Sequence, residues 1–194
     1  MQKQFIKWIL FITLLIGIPL IMLFLGKDNV QGSKIEVNKN VEIPWLEKSE
    51  KKVTLVFFGY VGCADVCAPL LYELKNMYRS RAWQKFNAEV EVVFINLIPQ
   101  MQPSIVNPFA KSFDVDFKGV YLNRKNLTKI EREFRLFFSA SIFDKEVVNH
   151  TDHIYLINNS RRISRTLYAI YPTHPLNKEQ LTEDIKTITT EYSH

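Results

Sequence analysis

Residues 53–60 read Val-Thr-Leu-Val-Phe-Phe-Gly-Tyr, with β-branched and aromatic side chains on both faces of any strand they form. Successive side chains of a strand point to opposite faces. A strand that is apolar on both faces has to be covered on both, as is a central strand in a sheet flanked by helices. The segment therefore argues for a layered α/β fold rather than an antiparallel sheet with one wet face.

The rest of the chain supplies the layers. Over residues 68–80, apolar Leu70, Leu71, Leu74, Met77 and Tyr78 fall at helical spacing. Residues 89–95 read as a second strand, with Val90, Val92, Val93, Phe94 and Ile95. Residues 126–138 read as a helix with Leu127, Ile130, Phe134 and Phe137 on one side. Residues 154–157 and 163–170 flank the turn signal Asn158-Asn159-Ser160 and predict an antiparallel hairpin. Residues 177–192 close the chain as a helix with the stripe Leu181, Ile185 and Ile188. The order strand, helix, strand, helix, hairpin, helix needs a parallel crossover pair and then an antiparallel pair. A thioredoxin-like mixed sheet flanked by helices is the expected α/β fold. Aromatic residues at these spacings read as core.

The chain has 194 residues and is 47% apolar, enough for one domain plus appendages. Its near-zero mean hydropathy averages two unlike parts. Residues 8–25 carry no charge, and at about 1.5 Å rise per residue they reach roughly 27 Å, a bilayer core. Lys3 and Lys7 precede this run, as in a signal sequence. A cleaved signal peptide has a shorter apolar core and a small-x-small cleavage site, whereas this run is longer and ends Leu-Phe-Leu-Gly-Lys. Residues 1–26 are expected to be an uncleaved single-pass membrane anchor, with a cleaved signal as the alternative. Pro19 is tolerable in such a helix. Residues 27–42, polar and containing Gly, Ser, Asn and Lys, read as a tether, and residues 43–194 as one domain starting near Ile43 and Trp45. Lys3 and Lys7 are nearly balanced across the run by Lys27, Lys34 and Lys39, so charge hardly sets orientation. The very short N-terminal tail favours an exported body. The net charge of +5 is scattered, with no arginine-rich run, zinc-finger spacing or aromatic-basic interleaving, which argues against a nucleic-acid partner.

The two cysteines, Cys63 and Cys67, stand four apart where the first strand turns into a helix. That spacing puts both sulfurs near one face, within reach of a disulfide or of one metal ion. The amides at the helix start favour thiolate over thiol. Three readings remain open on the residues alone: a stabilising disulfide, two unrelated buried thiols, or a reactive or metal-binding pair. Two thiolates suit copper(I), and an imidazole can complete a trigonal set. His150 and His153 flank the start of a strand. His174 lies in a Pro-rich loop and His194 ends the chain; these two read as surface or capping residues.

Phe57-Phe-Gly-Tyr-Val-Gly-Cys63-Ala-Asp-Val-Cys67 resembles the signature of the Sco/SenC family of copper chaperones, and Val148-Asn-His150-Thr151-Asp-His-Ile-Tyr155-Leu-Ile157 resembles its later histidine motif. The resemblance implies Cys63, Cys67 and His150, rather than His153, as ligands of one copper ion. It departs from the family at Ala64, Ala68 and Asn149, which replace two prolines and an aspartate, with Pro69 one place late. It departs again at Asn96-Leu-Ile-Pro99 and Asn158-Asn-Ser-Arg161. Asp65 matches an acidic family position and reads either as a docking or thiol-tuning group or as a helix-capping carboxylate. The function implied is a metallochaperone on a bacterial inner membrane, its domain facing the periplasm or cell exterior. Its partner would be a copper-accepting protein such as a cytochrome oxidase subunit. A thiol-disulfide reductase using Cys63 and Cys67 is the alternative, and a peroxide-reducing or redox-sensing protein a third. The residues leave the oligomeric state open.

Overall fold

The computed structural model describes residues 2–25, 32–43, 49–140, 148–160 and 164–191. Its centre is β2 (Val53–Gly59), every residue of which is buried. β3 (Val90–Asn96) and β4 (Lys118–Tyr121) continue the sheet in parallel on one side. β7 (His153–Asn158), β8 (Arg165–Pro172) and β1 (Ile35–Val41) continue it antiparallel on the other, giving the order β1-β8-β7-β2-β3-β4. The alternation of β2 then divides the core. Val53, Leu55 and Phe57 pack with α2 (Cys67–Tyr78), α3 (Pro103–Phe113) and α5 (Lys178–Glu191). Val56 and Phe58 pack with α4 (Arg124–Phe134). Fully covered leucines such as Leu71 and Leu181 stabilise these layers by roughly 1.5–3 kcal/mol each. A separate ribbon pairs β5 (Phe138–Ala140) with β6 (Val148–His150).

The mixed thioredoxin-like sheet matches the sequence expectation, and the differences have local causes. The sequence reading contained neither α3 nor β4. Pro103 and Pro108 interrupt a helical pattern, yet Pro103 sits at the helix start, where its missing N–H is harmless. β4 has only four residues and lies at a sheet edge. The expected tether over 27–42 does not hold in its second half, which is β1. As an edge strand with mostly polar, exposed residues, β1 looks like linker in the sequence. Trp45 lies outside the described residues, whereas Ile43 is buried. The helix expected to run to 138 stops at Phe134, because Arg135 turns into the left-handed conformation at φ 51°. Phe137 consequently projects into solvent, 65% exposed, instead of joining the buried stripe.

Helix α1 (Gln2–Leu25) carries the apolar run. Gln2–Ile21 is long and apolar enough to cross a membrane, and none of that window is buried against the protein.

Candidate metal-binding site

The site forms at the end of the sheet where β2 stops. After Gly59 the chain turns, with the Cys63 amide donating to the Tyr60 carbonyl at 3.2 Å, and Cys67 opens α2. Asn96, the last residue of β3, fixes this turn from beneath. Its fully buried side-chain oxygen accepts from the Val61 amide at 3.2 Å, and its amide group donates to the Ile98 carbonyl at 2.7 Å. The Leu97 amide extends the sheet ladder to the Gly59 carbonyl. Pro69 falls in the first turn of α2, where amides have no partner within the helix, so the displaced proline is tolerated.

Gly59 makes room for a sulfur. A Cβ there would lie 2.7 Å from Cys67 Sγ and 3.0 Å from the Phe94 ring. Cys67 is fully buried and Cys63 nearly so. Both are free thiols. The helix-start amide of Cys67 donates to Cys63 Sγ at 3.4 Å. Burial alone pushes the Cys63 thiol up, but hydrogen bonds from Cys67, the Val66 amide and Tyr60 outweigh it and leave it below the ordinary thiol value. Burial and the neighbouring Cys63 raise Cys67 well above that value. Tyr60 is pushed up to about 12, chiefly by burial and then by its bond to Cys63. The helix start thus favours one thiolate of the pair, not both.

His150 arrives from a different element, the end of β6. Thr151 holds it there. Its amide donates to the Phe137 carbonyl at 2.8 Å, and its hydroxyl accepts from the Phe137 amide at 2.9 Å. The Thr151 carbonyl, 3.1 Å from His150 Nδ1, can only accept, so Nδ1 donates to it and the Nε2 lone pair faces the Cys67 thiol at 3.9 Å. Phe57 and Tyr60 flank the imidazole edge-on. The ligand atoms of Cys63, Cys67 and His150 all lie within 4.8 Å of one another.

The other candidates separate from this cluster. His153 opens β7 and stacks on Tyr155, which belongs to the core layer on the opposite sheet face. His174 is 73% exposed and pairs with Asp152 at 2.7 Å. His194 lies outside the described residues. Asp65 is exposed and does not cap α2, whose cap position is Val66 and has no side-chain bond. Gly59 and Asn96 were not read as site residues from the sequence. A glycine closing an apolar strand just before a cysteine turn is the signal for a close approach there. In the sequence Asn96 stands out only as a departure from the family pattern.

A mixed sheet of this order, with a dithiol at the turn after the central strand and an imidazole swung over it, defines a thioredoxin-like protein with a soft three-donor site. The profile of the SCO1/SenC family matches residues 45–190, and the chain belongs to that family. The SCO2-like protein of Rickettsia prowazekii is 23% identical over 190 residues, spanning 87% of this chain and 92% of the relative. The structure of Bradyrhizobium japonicum ScoI with copper bound superposes with a TM-score of 0.58 at 24% identity, over 82% of this chain and 99% of that one. BsSco, described as having a disulfide switch and as a member of the Sco family of cytochrome c oxidase assembly proteins, superposes with a TM-score of 0.57 at 16% identity. That match covers 82% of this chain and 98% of BsSco.

Proposed function

We propose that this protein is a membrane-anchored copper metallochaperone. It carries one copper ion on Cys63, Cys67 and His150 and hands it to an exported copper enzyme, at the dinuclear copper centre of cytochrome oxidase. The observation that carries the reading is the convergence of two sulfurs and one imidazole nitrogen within 4.8 Å. Soft thiolates with one imidazole suit copper(I), and the tautomer of His150 turns the lone pair of Nε2 toward the sulfurs. The copper in ScoI supports the cargo, and the description of BsSco supports the client. The apolar helix supports a membrane anchor, which we assign to a bacterial inner membrane with the body facing the periplasm or cell exterior.

The test is a competition titration of copper(I) against a chelator. His150→Ala should weaken binding by more than about tenfold, a loss that even outer-shell partners can cause. His153→Ala should leave binding unchanged. Equal affinity in the parent and His150→Ala overturns the reading. A second reading, thiol-disulfide reductase, is favoured by the unequal thiols, one lowered and one raised, which is the asymmetry an attacking and a resolving cysteine need. It requires no histidine, so His150→Ala should leave reversible formation of a Cys63–Cys67 bridge intact.

A further inference from the structure

Helix α4 carries its charges unevenly. On one flank Lys129 pairs with Glu42 at 3.3 Å and Glu133 with Lys39 at 3.4 Å, which neutralises the side toward β1. Leu127, Ile130 and Phe134 face the core. The remaining side holds Arg124, Lys125, Arg132 and Arg135, all exposed. At 3.6 residues per turn Arg124 and Arg135 fall on one line, with Lys125 and Arg132 on the next, so the four form a stripe. Among the described residues none of them makes an ion pair, and neither does the half-buried Glu131 beside them. Helix stability accounts for half of this stripe. Arg132 and Arg135 suit the negative end of the helix dipole, but Arg124 and Lys125 stand in a first turn without an acid, where cations are disfavoured.

Both ends of α4 are tied to the end of the sheet that holds the site. β4, just before it, finishes at Tyr121 opposite Asn96, and Asn96 lies opposite Gly59, where β2 stops. Just after it, Phe138 pairs with His150. Paired Cα atoms are at most about 5.5 Å apart and three Cα steps add at most about 11 Å, so Arg135 lies within about 16 Å of His150. Phe137, between them in the chain, is exposed.

Copper(I) leaves such a site by ligand exchange. A donor atom of the acceptor bonds the ion as Cys63, Cys67 and His150 release it, with no change of oxidation state, so the acceptor has to touch this end of the protein. An interface of ordinary size covers about 800 Å² on each partner, a disc of roughly 16 Å radius. Centred on the site, that disc takes in Phe137 and reaches Arg135. We propose that the basic stripe of α4, with Phe137, is the docking surface for the copper acceptor, and that the acceptor is a protein with an acidic face beside its copper-binding side chains. Phe137 meets apolar surface near the centre and the stripe meets carboxylates at the rim, the usual placing of aromatic and charged residues in an interface. The charges speed encounter and set register more than they hold the complex. This rests on the copper-carrying function proposed above and adds the chemistry of the partner.

The test uses the full chain, loaded with copper(I) in phosphatidylcholine vesicles without oxygen. The acceptors are two dansylated peptides with the same pair of cysteines, flanked by glutamates in one and by glutamines in the other. Copper transfer is read from the dansyl fluorescence after rapid mixing. The glutamate peptide should take copper at least about tenfold faster at low salt, the least that charge steering gives. That advantage should vanish near about 1 M salt, where charges act over only about 3 Å. Arg132→Glu/Arg135→Glu should remove it at low salt. So should Arg124→Glu/Lys125→Glu, which puts acid at the helix start and therefore favours folding. Arg81→Glu/Lys85→Glu makes the same change of net charge on exposed residues just before β3, whose start lies at the far end of the sheet, and should keep the advantage. Equal rates for the two peptides from the parent overturn the docking surface. So does an advantage that survives in both stripe variants or is lost in the far-end variant. A dye at Thr128→Cys, in a Cys63→Ser/Cys67→Ser background, reports the other occupant. If phosphatidylglycerol in the vesicles shields it from acrylamide, the stripe belongs to an anionic lipid surface and not to an acceptor protein. A parent chain that binds no copper(I) in the chelator titration overturns the copper-carrying function itself, which keeps the two failures apart.

Discussion

Gly59 and Cys67 share one small volume, and the absence of a side chain at the first admits the sulfur of the second. Gly59→Ala should cost about 1–3 kcal/mol by overpacking, read as a lower denaturant midpoint. It should also weaken copper(I) binding, because the methyl group displaces Cys67 Sγ; unchanged affinity would show that the sulfur is not held where the ligand must be. The cysteines should differ in reactivity. Cys63, lowered, reaches its thiolate form at lower pH than an ordinary thiol, whereas Cys67, raised and fully buried, stays protonated. Iodoacetamide under reducing conditions should modify Cys63 first, and mass mapping that finds Cys67 first contradicts this. The same shifts set a pH dependence. A raised folded-state value stabilises the fold below the unfolded value and loses that stabilisation as pH rises through the raised one. Cys67 therefore holds its proton at neutral pH, and copper(I), which displaces it, should bind more tightly as pH rises from about 6 to about 8. A flat profile would show that Cys67 is not a ligand.

At the scale of elements, the site is a meeting of three. The β2–α2 turn brings the sulfurs, β3 ends in the Asn96 that pins that turn, and the β5–β6 ribbon brings His150. Thr151 ties the ribbon to Phe137 through both backbone and hydroxyl. Thr151→Val removes the hydroxyl bonds, at about 1 kcal/mol, and should lower copper(I) affinity by loosening His150. Cys63–Cys67 bridge formation should be unaffected, because both sulfurs are carried by the β2–α2 turn. A Thr151→Val protein with parental affinity would mean that β6 is held by its ladder alone. The central strand and final helix were legible in the sequence because each buries a full face at its own period. The edge elements β1 and β4 were not, because an edge strand has one ladder partner and little apolar demand.

At the scale of the whole molecule, α1 and the body should remain one chain. The mature protein is expected to keep residues 1–25, and the body should be cleaved by protease added to spheroplasts. A mature N-terminus near Gly26 would establish a cleaved signal, and a protected body would establish the opposite topology. The sequence by itself determined the layered fold, since an eight-residue stretch apolar on both faces can be satisfied only between two layers of helices. It also determined the dithiol, because four-residue spacing at a helix start is a local geometry. It could not show which histidine joins the thiols from spacing alone. His150 and His153 are three apart, and only the break between β6 and β7 places one over the cysteines and the other on the far face of the sheet. Nor could it show that residues 35–41 form a strand or that they enter the sheet against β8. Those facts depend on which strand end β1 meets, a pairing between residues more than a hundred positions apart, and only the folded sheet decides it.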